Sequence, residues 1–221
     1  MQMIETKNKT IKFSWYRNFI KRFLDIIFSL IALVVLAIPM LIIALCIKVD
    51  SKDDPIMFKQ TRVGKNGMPF KIFKFRTMRT NAPHEMATEN FDNPEKYVTR
   101  VGHYLRKSSL DELPQLINVI KGDMSIIGPR PLITEEKNVL GWRREYGADK
   151  ILPGITGLAQ VHGRDELTGR RKAFFDGEYA HNVSLGLDIR IFLKTISDVL
   201  QSKGIHEGSK HDKNKKVNNL R

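Results

Sequence analysis

Eighteen consecutive residues, Leu30 to Ile47, carry no charge, and they lie inside "FLDIIFSLIALVVLAIPMLIIALCIK", which starts at Phe23. An apolar run of about 18 residues is long enough to lie in a bilayer, so it reads as a membrane-helix signal that any fold of this chain has to accommodate. It does not read as a cleaved leader, because the run is too long and no small-x-small site follows it. Pro39 interrupts it. Proline donates no backbone hydrogen bond and its ring clashes with the preceding turn, so a helix kinks or ends there. Phe23 to Ile38 covers roughly 24 Å at about 1.5 Å per residue, short of a hydrocarbon core of about 30 Å. Basic residues flank both ends: Lys7, Lys9, Lys12, Arg17, Lys21 and Arg22 before the run, and Lys48, Lys52, Lys59, Arg62 and Lys65 after it. Positive residues favour the cytoplasmic side. A segment that turns at Pro39 and leaves by the face it entered satisfies both flanks. On composition alone a kinked span and a re-entrant hairpin are equally open. Trp15 and Tyr16 stand where interfacial anchors are expected.

The whole chain has 221 residues, enough for one medium domain plus this attachment. Its 37 Lys+Arg against 24 Asp+Glu leave a net charge of +13. Such an excess points to an anionic partner: nucleic acid, anionic lipid or a phosphate-rich substrate. The single cysteine, Cys46, rules out an intrachain disulfide and sits in the apolar run as a small apolar residue.

Beyond the apolar run, Ile56–Val63 and Phe70–Phe75 flank Gly64-Lys65-Asn66-Gly67, and an Asn-Gly pair between apolar stretches predicts a β-hairpin. "TNAPHEMATENFDNPEKY" reads as a loop. Leu113, Leu116, Ile117 and Ile120 predict a helix over Leu105–Ile120. "GDMSIIGPRPL" reads as a loop stiffened by the prolines around Arg130, and "LPGITGLAQVHGR" as irregular and glycine-rich. Amphipathic helices are expected over Ile133–Tyr146, Arg170–Tyr179 and Leu187–Leu200. The polar end "GSKHDKNKKVNNLR" is expected to be disordered.

Two adjacent acids, Asp111 and Glu112, stand out in "KSSLDELPQL". One reading is a helix start: Ser109-x-x-Glu112 fits a capping box, although Pro114 at the fifth helical position argues against it. The other is a carboxylate pair for metal-assisted phosphoryl chemistry. One carboxylate would attack phosphorus, and its neighbour would help hold Mg²⁺, which takes one or two protein carboxylates plus substrate phosphates. Arg130 lies in a stiffened loop suited to presenting a guanidinium fork to phosphate. Arg106, Lys74 and Arg76 are basic neighbours that a surface alone would equally explain. Nucleotide-binding glycine loops, zinc-protease spacing and zinc-ligand histidine spacing are absent from the sequence. No nucleic-acid-binding motif appears, and the membrane segment lowers the case for a nucleic-acid partner.

Four stretches together resemble the bacterial sugar transferases, monotopic polyprenyl-phosphate phosphoglycosyl transferases. They are "KRFLD" (Lys21–Asp25) ahead of the proline-broken run, "FKIFKFRTM" (Phe70–Met78), "LRKSSLDELPQLINVIKGDMSIIGPRPL" (Leu105–Leu132) and "LPGITGLAQVHGR" (Leu152–Arg164). The resemblance covers about Ile20 to Gly208 and favours the catalytic reading of the acids. It implies transfer of a sugar-1-phosphate from a UDP-sugar to undecaprenyl phosphate with release of UMP, at the start of exopolysaccharide, capsule or other surface glycan assembly. It implies Asp111 as nucleophile through a covalent phosphosugar intermediate, and Glu112 as the second acid, with both at the metal. It implies Mg²⁺ as cofactor, and Arg130, Arg106 and Lys74 near the phosphates. It also implies that the helix broken at Pro39 is re-entrant. Leu158 and His162 depart from the Trp and Asn common in the family, and Ile38 from the Ser often found before the membrane proline. The resemblance is to the small form, so the extra N-terminal membrane bundle of larger members is not expected.

The expected architecture is α+β and mainly helical: a proline-broken re-entrant membrane helix, a β-hairpin, and amphipathic helices at the membrane interface. Residues 1–18 form a basic, aromatic N-terminal segment, 19–48 the membrane helix, 49–205 a cytosolic catalytic domain and 206–221 a basic tail. The catalytic domain is expected on the cytoplasmic face of the bacterial inner membrane. Expected partners are membrane lipids, the two substrates, and downstream glycosyltransferases or a second copy of the chain. The competing class is a catalytically silent membrane adaptor whose basic face recruits anionic glycans or proteins.

Overall fold

The computed structural model describes residues 13–82, 94–163 and 166–201. The expected tail, most of the N-terminal segment and the middle of the 80–97 loop lie outside the described residues. A π-helical turn, Tyr16–Ile20, runs into α1 (Lys21–Val35), and α2 (Ala37–Asp50) follows after Leu36 alone. The two limbs are bent by 62°. Among the described residues no single helix is long and apolar enough to cross a membrane, whereas the bent pair together passes that test of length and composition. The break falls at Leu36 (φ −91°, ψ 3°), three residues ahead of Pro39. Pro39 cannot donate to the Val35 carbonyl and its ring would strike it, so the α1 ladder stops there. Pro39 then occupies the first turn of α2, where an N–H has no helical partner anyway.

α1 is built inside out. Lys21, Asp25 and Ser29, one turn apart, face the protein and are buried. Phe23, Phe28, Ile31, Val34 and Val35 face outward and are exposed. Ile47 of α2 packs with Phe75 and Leu105, and Met40, Ile43, Ala44 and Leu113 close around them. Each such buried apolar side chain contributes about 1.5–3 kcal/mol.

The hairpin forms as the Asn-Gly pair predicts. β1 (Met57–Val63) and β2 (Pro69–Phe75) pair antiparallel, with Gln60 opposite Ile72. Asn66 (φ 56°) and Gly67 (φ 79°) turn the chain in the left-handed region that these two residues tolerate. α3 (Arg100–Ser108) begins at Thr99, whose side chain accepts from the Gly102 amide. A Cβ on Gly102 would lie 2.1 Å from the Thr77 carbonyl oxygen, so only glycine lets α3 sit this close to the strand end.

The helix expected over Leu105–Ile120 is not continuous. Ser109 is left-handed (φ 57°) and ends α3, a 3₁₀ turn spans Leu110–Glu112, and α4 (Gln115–Lys121) starts only after Pro114. Pro114 takes the N-cap position, so its missing N–H costs α4 nothing. The capping box does not form either, since Ser109 makes no side-chain cap. The "SII" of the expected loop is a strand, β3 (Ser125–Ile127), which pairs in parallel with β4 (Gly154–Thr156) from the segment expected to be irregular. The helix expected from Ile133 starts later, as α5 (Lys137–Glu145). A short α6 (Leu158–Val161) precedes α7 (Gly169–Asn182) and α8 (Leu185–Leu200). Ile127, Tyr179, Val183 and Ile191 form the core where these helices meet β3. The described residues are mainly helical with two small sheets.

Candidate active site

The left-handed Ser109 and Pro114 bracket a single 3₁₀ turn, and that turn carries Asp111 and Glu112. α4 aims it. Asn118 of α4 is fully buried, and its side chain completes hydrogen bonds with the free edge of β2. Its Oδ1 accepts from the Phe73 amide (2.9 Å), while its Nδ2 donates to the Lys71 carbonyl (2.7 Å) and to Asp123 (3.0 Å). The neighbouring strand residue, Lys74, thereby faces the dyad.

Lys74 Nζ donates to Glu112 Oε1 at 2.6 Å and lies 3.9 Å from Asp111 Oδ2. Arg130 Nη1 donates to the same Glu112 oxygen at 3.1 Å. Glu112 is thus the carboxylate that gathers both cations, and Asp111 lies beside them. Asp111 and Glu112 are both buried, while the Arg130 side chain stays 47% exposed. Burial pushes the Asp111 carboxyl above the ordinary aspartate range. Lys74 opposes that rise, Glu112 adds to it, and Arg130 and then Arg106 oppose it. Arg106, on α3, therefore reaches Asp111 through its field. The structure brings Asp111, Glu112, Lys74 and Arg130 into direct contact; Pro39 stands apart, in the first turn of α2.

Several residues shape the site from behind, and Asp188, Tyr179, Arg143 and Asp176 among them carry no site motif in the sequence. Arg22 donates to the Val119 and Ile120 carbonyls (2.6 and 3.0 Å) and so caps the C-terminus of α4. Lys21 pairs with Asp188 at 2.7 Å. Asp188 also accepts from Tyr16 (2.7 Å) and Tyr179 (2.6 Å). Asp25 accepts from the Ser125 hydroxyl (2.7 Å) and the Ile126 amide (3.2 Å). The "KRFLD" stretch is the seam between α1 and the rest of the protein. Arg143 and Asp176 form a buried ion pair (2.6 Å) behind Arg130. The available signal was a charge inside an otherwise apolar helical stretch, as in "AFFDGEYA".

Among the described residues no group of three or more His, Cys, Asp or Glu side chains could hold a metal by itself. The two carboxylates suit Mg²⁺ better than an all-protein cage would, because that cation commonly completes its shell with water and substrate phosphate.

The family model for bacterial sugar transferases matches residues 16–202, from the π-helical turn to the end of α8. The chain belongs to the bacterial sugar transferase family. This transferase is 37% identical to the exopolysaccharide production protein ExoY of Sinorhizobium fredii over 198 residues, 83% of this chain and 87% of that one. It is 41% identical to a UDP-glucose:undecaprenyl-phosphate glucose-1-phosphate transferase of Caulobacter vibrioides, across 81% of this chain and 69% of the relative. It is 37% identical to an undecaprenyl-phosphate galactose phosphotransferase of Salmonella typhimurium, across 86% of this chain. The transferase spans 42% of that last relative and 46% of an uncharacterized sugar transferase of Haemophilus influenzae.

Proposed function

We propose that the protein moves a sugar-1-phosphate from a UDP-sugar to undecaprenyl phosphate and releases UMP, with Asp111 as the nucleophile. The observation that carries this is the buried Asp111–Glu112 pair with Lys74 and Arg130 both on Glu112. Two carboxylates repel a diphosphate unless fixed positive charge is in place, and here it is already assembled on the acid that does not attack. Glu112 orients Lys74 and Arg130, and the half-exposed Arg130 guanidinium stands where it can meet phosphate oxygens. Asp111 and Glu112 would hold Mg²⁺, which when bound neutralises phosphate charge.

In the first half-reaction an Asp111 carboxylate oxygen attacks the β-phosphorus. The bond from that phosphorus to the bridging oxygen breaks, and UMP leaves with the oxygen. Asp111 then carries the sugar-1-phosphate as an acyl phosphodiester. In the second, an oxygen of undecaprenyl phosphate attacks the same phosphorus, the bond to Asp111 breaks, and the carboxylate is regenerated. A covalent intermediate lets UMP depart before the lipid phosphate, a second polyanion, arrives.

The lipid substrate fits the outward apolar faces of α1 and α2. α8 presents Leu185, Ile189, Phe192, Leu193, Ile196 and Leu200 outward as well, the pattern of a helix lying in the membrane interface. On this reading the bent pair enters and leaves by the cytoplasmic face of the inner membrane. The product starts exopolysaccharide, capsule or other surface glycan assembly.

Purified protein incubated with UDP-sugar, Mg²⁺ and undecaprenyl phosphate should release UMP. Release of UDP instead would indicate ordinary glycosyl transfer and overturn the mechanism. Without the lipid, one equivalent of UMP per enzyme is expected, with the sugar-phosphate mass on the peptide that holds Asp111.

A further inference from the structure

The chain from Pro129 to Leu132 is held in an unusual way. Two of its four residues are prolines, which lack an N–H to anchor them. All four carbonyls, however, have a donor. Pro129 accepts from the Gly154 amide (2.9 Å), and Leu132 from the Val63 amide (2.8 Å). Arg130 accepts from Arg143 Nη1 (2.8 Å) and Pro131 from Arg62 Nη1 (3.3 Å). The outer carbonyls are thus bound by backbone and the inner two by guanidinium groups. Arg143 uses its whole fork: Nε and Nη2 bind Asp176 Oδ2 at 2.8 and 2.6 Å, which leaves Nη1 for Arg130. Asp176 is 1% exposed and Arg143 7%. A buried ion pair of this kind contributes little net stability compared with apolar residues of the same volume. Its geometric effect is specific: it fixes the peptide that bears Arg130.

We propose that Arg143, oriented by Asp176, is a positioning residue: it clamps the Arg130 main chain so that the Arg130 guanidinium stays directed at the substrate phosphates. This rests on reading Arg130 as a phosphate-binding group. Arg62 clamps the next carbonyl. Burial, and then the neighbouring Arg130, bring Arg62 down to about 10, so it remains charged at neutral pH. A lysine at 143 would keep the charge but could not bind Asp176 and the Arg130 carbonyl through one planar fork.

The test uses the full chain in detergent or lipid nanodiscs. Hydrogen exchange at the amides of residues 128–133 should rise at least tenfold in Arg143→Gln and in Asp176→Asn, with α1 and α4 unchanged. Unchanged exchange in that loop overturns the proposal. UMP release is then followed with UDP-glucose and UDP-galactose in turn. Arg143→Gln should lose about 10²-fold in kcat/KM, mostly in kcat, the scale expected for a misplaced catalytic group, and Arg143→Lys should recover part of it. Arg130→Gln/Arg143→Gln should be no slower than Arg130→Gln alone, whereas additive losses would mean that Arg143 acts only on the fold. Arg143→Met/Asp176→Leu removes both buried charges, so the loop can still be probed if the single variants fail to fold. Faster loop exchange in the variants, in a protein that transfers neither sugar, would uphold the clamp and mean that the donor carries a sugar other than glucose or galactose.

Discussion

At the scale of single residues, Asp111 holds two opposed demands. Attack requires the carboxylate, yet burial raises its pKa and favours the neutral acid. In the folded protein Asp111 therefore binds its proton more tightly than in the unfolded chain. Stability from this group is present at low pH and is lost as pH rises from the ordinary aspartate range through the raised value. Asp111→Asn should lose activity by about 10⁴-fold or more, while its melting temperature at neutral pH should equal or exceed that of the parent. A lower one would show that Asp111 serves the fold. Activity should climb with pH as Asp111 ionises. In Lys74→Met the acidic limb of the kcat/KM profile should move to higher pH, because Lys74 is the strongest influence opposing the rise. Little of this balance was visible in the chain. "SSLDEL" permits a capping box, and only the left-handed Ser109 shows that none forms. Which acid takes the cations depends on where a strand places Lys74, 38 residues before Glu112, and local sequence does not contain that information.

At the scale of elements, the bend between α1 and α2 follows from one ring. Pro39→Ala restores the missing donor and removes the clash with the Val35 carbonyl, allowing a helix continuous from α1 into α2. If the segment is re-entrant, a cysteine engineered at Phe13 should be shielded from an impermeant thiol reagent added outside intact cells, in a Cys46→Ser background. The added Pro39→Ala should make it reactive in part of the population. Labelling in the Pro39-containing protein would contradict the hairpin. Elements were legible where their signals were local: the Asn-Gly turn, the proline break and the stripe on α8. β3 and β4 were not. Each has three residues, too few for an alternating pattern, and their pairing joins segments about 29 residues apart. In the 105–120 stretch Pro114 is the sequence signal for the split, since it starts α4, while the end of α3 at the left-handed Ser109 has no local apolar pattern to mark it.

At the scale of the whole molecule, α1 and the helices and strands packed against it share one buried polar network. Lys21 and Asp188 are both buried, and removing Lys21 leaves Asp188 without its cation but still bonded to Tyr16 and Tyr179, at a cost of about 3 kcal/mol, the lower end for a broken buried pair. Lys21→Met should lower stability by that amount in a denaturant titration in detergent, and Lys21→Met/Asp188→Asn should recover part of it. Burial and the adjacent Asp188 hold the Tyr179 phenol above its ordinary pKa, so it remains a donor to Asp188 across the working pH range. The inverted stripe on α1 also bears on how a water-soluble form could be made. Deleting the segment ahead of α2 would strip donors from Asp188 and from the Val119 and Ile120 carbonyls, and would take the Asp25 carboxylate from Ser125 and the Ile126 amide. The truncated remainder would be an incomplete core. A soluble variant would have to keep Lys21, Arg22 and Asp25 and recolour only the outer surface, exchanging Phe23, Phe28, Ile31, Val34 and Val35 for polar residues.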